Sequence, residues 1–178
     1  MRILIALYFA LALCCGAAAA SSGCKIVARV PFASQLETPI KHYNRAGPRL
    51  ATAGTLTDAD IVELRNQGFD VIVNATPGKP DIAARERALA EAQGMAYYHL
   101  PYTDDGASEV DLATFNGLMA DETLRILLHC KAGSRAGALL TLHYLSVGVE
   151  RDDALMAGRA AGLQPDMESE LVERLTAS

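Results

Sequence analysis

The sequence predicts an α/β fold with a mainly parallel central sheet flanked by helices. Short β-branched or apolar runs alternate with Ala-, Glu- and Leu-rich stretches of helical length, and glycine or proline separates one from the next. Strands joined through helices run parallel, which brings their carboxyl ends to one edge of the sheet, where such folds bind ligands.

The elements follow in order. Arg49 to Ala53 is a short strand candidate, and Thr57, three residues before Asp60, has capping-box spacing for a helix ending near Gly68. "DVIVN", Asp70 to Asn74, is apolar and β-branched enough for a buried strand, and "TPGKP" then enforces a loop. Asp81 to Gln93 is rich in good helix formers and stops at Gly94. "MAYYHL", Met95 to Leu100, is the next strand, broken by Pro101, and Ser108 caps a helix that runs through about Ala120. Arg125 to His129 is a third buried strand. After it, Leu139, Leu142 and Leu145 mark the apolar face of a helix, and two more helices near Asp152 to Ala161 and Asp166 to Leu175 finish the chain.

The 178 residues are one domain's worth. Residues 1–20 read as a secretory signal peptide: a basic start at Arg2, an unbroken apolar run from Ile3 to Leu13, and the small residues Ala17 to Ala20 for cleavage. Residues 21–48, with Pro39 and Gly47-Pro48, read as an irregular lead-in, and 49–178 as the folded domain. The expectation is export, to a periplasm. Cys14 and Cys15 leave with the leader, so the mature chain keeps Cys24 and Cys130. "SSGC" before Cys24 weakly resembles a lipoprotein processing site, and a membrane enters the reading only through a lipid on Cys24.

A net charge of -5, a pI near 5.3 and the lack of a basic stripe with interleaved aromatics exclude nucleic acid as the expected partner. His42, His99 and His143 have no metal-ligand spacing, so no metal and no cofactor is expected.

The chemistry concentrates in "LLHCKAGSRAGALL", Leu127 to Leu140. A cysteine between a strand end and a helix start meets unpaired amides and the positive end of the helix dipole, both of which stabilise a thiolate. The same amides form a nest for phosphate or another oxyanion. Gly133 permits the positive φ that turns successive N–H groups inward, and Arg135 offers a planar fork for two oxygens at once. A buried structural cysteine beside a tight turn is the plain alternative. Nucleophile, glycine and fixed cation in one loop favour a site.

"HCKAGSRAG" resembles the signature loop of the cysteine-dependent protein tyrosine and dual-specificity phosphatases. Those phosphatases normally carry five residues between Cys and Arg, with Ser or Thr after the arginine; here there are four, Lys131 to Ser134, followed by Ala136. One bacterial phosphatase-like family, found alone or fused to β-lactamase-like hydrolases, has the shortened loop. The chain is similar to it from about His42 to Leu163 in "LATAGTLTDADIVELRNQGFDVIVN", "GMAYYHLPY", "LLHCKAGSRAGALL" and "GRAAGL". Thr55-Leu56 stands where Gln-Pro often follows the early glycine, and Ala75-Thr76 where an arginine often follows the strand's asparagine.

The resemblance implies a cysteine-phosphatase-like fold over 49–178 and hydrolysis of phosphate monoesters, protein phosphotyrosine or small phosphoesters, through a cysteinyl-phosphate. It implies Cys130 as nucleophile and Arg135 as oxyanion clamp. His129, Lys131, Ala132, Gly133 and Ser134 then surround the substrate, with His129 orienting the loop. Ser134 has two readings, a hydrogen bond to the thiolate or a cap for a helix beginning at Arg135. The leaving alkoxide needs a proton donor, and Asp104 and Asp105 in "PYTDDGAS" are the candidates. Asp-Gly is also a strong turn dipeptide, so Asp105 suits the turn and Asp104 the acid.

Removing one loop residue shortens its reach by up to ~3.6 Å and deletes one inward N–H. Rhodanese-type sulfurtransferases place a cysteine before a similarly short loop. A persulfide carrier on Cys130 and a noncatalytic phosphate-binding module therefore stand beside the phosphatase reading.

Overall fold

The computed structural model describes residues 40–177; the leader, Cys24 and most of the lead-in lie outside the described residues. In chain order the elements are β1 (Asn44–Arg45), β2 (Leu50–Ala53), α1 (Asp58–Asn66), β3 (Val71–Asn74), α2 (Pro80–Ala92) and β4 (Ala96–His99). They continue with β5 (Tyr102–Thr103), β6 (Gly106–Ala107), α3 (Glu109–Ala120), β7 (Ile126–His129), α4 (Ser134–Ser146), α5 (Arg151–Ala160) and α6 (Pro165–Ala177).

The main sheet has the order β1-β2-β7-β3-β4, parallel throughout except for β1. β7 lies at its centre. Ile126 is in register with Leu50 on one side and Val71 on the other, and His129 with Ala53 and Asn74. Cys130 is therefore the first residue past the sheet, between the ends of two neighbouring strands.

Strand alternation divides the core. Ala51, Ala53, Ile72 and Leu127 pack with Ile61, Leu64 and Ala90 of α1 and α2, while Leu50, Val71, Val73, Ile126 and Leu128 pack with residues of the other helices. Covering both faces is why the parallel strands read as continuous apolar runs rather than alternating ones. Each fully buried Leu or Ile contributes roughly 1.5–3 kcal/mol relative to exposure.

The local signals act as their chemistry requires. At the start of α1, Thr57 Oγ1 accepts from Asp60 N at 3.2 Å and Asp60 Oδ2 accepts from Thr57 N at 2.7 Å, a reciprocal capping box. Ser108 Oγ accepts from Asp111 N at 3.1 Å and caps α3.

Two stretches, one expected to be irregular and one expected only to turn, form strands. Asn44–Arg45, inside the lead-in, pairs antiparallel with Ala51–Thr52 as an edge strand. "PYTDDGAS" closes as the β5–β6 hairpin, with Tyr102 in register with Ala107. Two-residue strands are too short for hydrophobic alternation to reveal.

α4 and α5 cross closely at Gly137 and Gly158. A Cβ on Gly137 would stand 2.7 Å from Gly158 O and 2.8 Å from Leu163 Cα, so only glycine fits. Below this crossing Thr52 Oγ1 donates to Ala161 O at 2.6 Å, tying β2 to the end of α5.

Candidate active site at the end of the central strand

Cys130 is a free, buried thiol whose N–H donates to Ala53 O at 3.3 Å. The next carbonyl, of Lys131, accepts from both Thr55 N and Thr55 Oγ1 at 3.2 Å. The start of the loop is thereby fixed to the segment leaving β2. Gly54 makes that approach possible, since a Cβ there would lie 3.1 Å from Lys131 O and 2.9 Å from His42 Cδ2.

Gly133 has φ +88 and is the N-cap of α4 with no side-chain cap. The first amides of α4 are left without a capping side chain, the arrangement that receives an oxyanion. Ser134 lies inside the helix, not before it, so the cap expected of it belongs to Gly133. Ser134 Oγ instead accepts from Gln164 N at 3.0 Å and holds the α5–α6 connection against the loop. Lys131 and Ala132 are exposed, and Ala136 is fully buried, so no hydroxyl follows the arginine.

Arg135 and Asp104 come together: Nη2 lies 3.5 Å from Asp104 Oδ1. Arg135 Nε is buried with no hydrogen-bond partner among the described residues, leaving a donor in hand for an anion. Asp104 and Asp105 occupy the β5–β6 turn, where Thr103 Oγ1 donates to Gly106 O at 3.0 Å and accepts from Asp105 N at 3.2 Å. Both acids are solvent-exposed. Asp104 reaches Arg135, and both acids border a cleft of about 810 Å³ with Glu170, Glu173 and Arg174 of α6.

Beneath the loop is a buried polar cluster that the sequence did not disclose. Glu86 Oε2 on α2 accepts from Asn74 Nδ2 and from Tyr97 OH, each at 2.8 Å, and Asn74 Nδ2 also reaches Tyr97 OH at 2.9 Å. His129 Nε2 lies 3.4 Å from the same Glu86 oxygen. That is an ion-pair separation rather than an aligned hydrogen bond, since neither ring nitrogen of His129 satisfies hydrogen-bond geometry. Burial pushes the Glu86 carboxyl up, but the neighbouring His129, with Tyr97 and Asn74, more than offsets it and holds the group below its ordinary value. Burial raises the Tyr97 phenol well above its ordinary value.

The clue to this cluster was faint: an asparagine ending an apolar strand, a tyrosine in the next, and a glutamate on an Ala-rich helix where glutamate is simply a good helix former. Asn74 Oδ1 also accepts from Thr76 N at 2.7 Å, and His99 Nε2 lies 2.7 Å from Thr76 O. These contacts order the segment where an arginine often stands in similar chains. Among the described residues no group of three His, Cys, Asp or Glu side chains could hold a metal ion.

The family model described as "Beta-lactamase hydrolase-like protein, phosphatase-like domain" matches residues 42–146, from before β1 to the end of α4. A β-lactamase hydrolase-like protein of Agrobacterium fabrum is 32% identical over 140 residues, covering 75% of this chain and 32% of the relative. One of Xylella fastidiosa is 30% identical over 120 residues, covering 64% and 28%. The chain thus spans about a third of the length of these curated relatives. Crystal structures assigned to phosphatases of Neisseria meningitidis and Shewanella putrefaciens share the fold, with TM-scores of 0.59 and 0.57 and identities of 23% and 22%. They cover 72% and 75% of this chain, and 96% and 91% of their own.

Proposed function

We propose that this chain, which belongs to the phosphatase-like domain family of the β-lactamase hydrolase-like proteins, is a cysteine-dependent phosphatase of phosphate monoesters, protein phosphotyrosine among them. The observation that carries the reading is the meeting of three parts at one strand end: the Cys130 thiol, the uncapped amides after Gly133, and Arg135 with a donor unspent.

In the proposed reaction the Cys130 sulfur attacks phosphorus while the bond to the ester oxygen breaks. The amides and Arg135 hold the equatorial oxygens as charge redistributes. Asp104, protonated, gives its proton to the leaving alkoxide; as a carboxylate it then takes one from the water that hydrolyses the cysteinyl-phosphate. Inorganic phosphate leaves and the thiolate returns. Export belongs to the same proposal: cleavage of residues 1–20 leaves a mature chain beginning near Ser21, checked by amino-terminal sequencing of the protein from a periplasmic extract.

The four-residue loop favours sulfur transfer as the rival reading, and the buried Ala136 favours binding without turnover. Purified protein is assayed for phosphate release from aryl and alkyl phosphomonoesters and for thiosulfate-to-cyanide sulfur transfer. The expected result is phosphate release that Cys130→Ser abolishes. Sulfur transfer alone establishes the rival, and phosphate binding with neither turnover establishes a binding module.

A further inference from the structure

The cleft bordered by Asp104 has an inner extension. This pocket, of about 380 Å³, runs between the β5–β6 hairpin and helices α3, α4 and α6, and Leu112, Leu142, Leu171 and Leu175 line it with Tyr102. It shares Asp105, Arg174 and Ala177 with the outer cleft of about 810 Å³, so the two form one continuous depression. Asp104 marks where the depression meets the phosphate loop, since its carboxylate touches Arg135 on one side and borders the cleft on the other.

Tyr102 gives the pocket its chemistry. The residue is fully buried, and its hydroxyl has no hydrogen-bond partner among the described residues. Buried hydroxyls ordinarily have one, so this group is an unspent donor and acceptor, which a ligand reaches by displacing the side chains that close it from solvent. The Arg174 guanidinium lies over the Tyr102 ring, 5.6 Å from its centre, and against Gly106, where a Cβ would come 3.2 Å from Nη1. Around the mouth Asp104, Asp105, Glu170 and Glu173 set four carboxylates against the guanidinium of Arg174, with that of Arg135 beside Asp104. Such a rim repels a second anion on the ligand.

From this geometry we infer that the pocket receives the alcohol half of the phosphomonoester, and that it selects an apolar body, neutral or cationic at its rim, bearing one hydrogen-bonding group that meets Tyr102. The volume suits a fused bicyclic ring or a branched aliphatic group and lies within the range of small-molecule sites. Polyanionic alcohols, such as those bearing a further phosphate, are discriminated against.

The inference rests on the phosphatase reading, and its test separates the two. Cys130→Ser protein, which cannot form the cysteinyl-phosphate, is labelled at its leucine methyls and titrated with inorganic phosphate, glycerol 2-phosphate, 2-naphthyl phosphate, 6-hydroxy-2-naphthyl phosphate and 6-carboxy-2-naphthyl phosphate. The expected result is that 2-naphthyl phosphate binds about tenfold or more tightly than glycerol 2-phosphate and shifts Leu142, Leu171 and Leu175. The hydroxyl derivative binds more tightly still, an increment that Tyr102→Phe removes, and the carboxylate derivative binds more weakly. Equal affinity for the esters, with shifts confined to the cysteine loop, overturns the inference and leaves the phosphatase reading standing. If inorganic phosphate does not bind, the phosphatase reading fails; 2-naphthol is then titrated alone, and the absence of shifts at the same leucines overturns the pocket as well.

Discussion

Glu86 on α2 and His129 on β7 form a buried pair at 3.4 Å, directly behind the residue that bears the thiol. Both side chains are 2% exposed, and the carboxylate has Asn74 and Tyr97 as further partners. A charged group so placed is tolerable only with such company, and removing one member leaves the rest uncompensated.

Glu86→Ala is therefore expected to cost about 3–5 kcal/mol of folding stability in urea titrations, as for other broken buried pairs. Glu86→Gln keeps an acceptor and costs about 1–3 kcal/mol. If the pair also sets the imidazole's attitude toward the loop, Glu86→Gln slows iodoacetamide labelling of Cys130 in the folded state. Unchanged stability in both variants refutes the buried-pair account.

Stability falls with acid in two steps. Burial lowers the proton affinity of His143 from its ordinary value of 6.5, so below that pH the unfolded chain takes up a proton that the folded chain resists. Glu86 is held below its ordinary 4.5, so its stabilising contribution is present above that pH and is lost as pH falls through the lower folded value. Denaturation midpoints between about pH 7.5 and about pH 3, which bracket the ordinary values of both groups, should show His143→Gln flattening the upper step and Glu86→Gln the lower. Stability constant across this range would contradict both assignments.

Asp104→Asn is expected to slow alkyl phosphate hydrolysis by about 10²-fold or more and aryl phosphates much less, because only a basic leaving oxygen needs the proton. Asp105→Asn, without a contact to Arg135, should leave kcat near wild type. Equal losses in the two variants would mean that the hairpin turn, and not an acid, had been disturbed.

The glycine crossing gives a stability prediction with a functional echo. Gly137→Ala puts a methyl group into the backbone of Leu163 and Gly158, at a cost of about 1–3 kcal/mol or more. Relief of the clash moves the α5–α6 connection, whose Gln164 amide is bonded to Ser134. Calorimetry should show a lowered Tm, and phosphate affinity should fall with it. Gly117→Ala, where a Cβ meets nothing within 4 Å, is the control.

The long elements were legible because their signals are local. The Thr57 and Ser108 caps, the apolar β3 and β7, and glycines such as Gly68 and Gly94 each act within a few residues, and the cysteine loop is itself contiguous. What escaped is nonlocal. Glu86 acquires its partners only when α2 lies on β3, β4 and β7, and Tyr102 lines a pocket only when α6 folds over the hairpin. β1 and the β5–β6 pair are two residues long, below the length at which periodicity carries information. The expectation that Ser134 caps a helix beginning at Arg135 failed by one residue because Gly133, in the left-handed region, ends the loop sooner.

The central place of β7 orders events in time. β2 and β3 are made first, yet they do not pair with each other; the strand that joins them lies more than fifty residues beyond β3. Until that strand is inserted, the sheet has a gap and the thiol has neither the Ala53 carbonyl nor the Thr55 tether beside it. Such distant closure makes for slow assembly. A nascent chain accordingly passes through an interval in which Cys130 is an ordinary unshielded cysteine, open to any oxidant or stray disulfide partner. Maturation is thus a race between strand insertion and thiol oxidation, and reducing conditions during refolding should raise the yield of active protein most when folding is slowest.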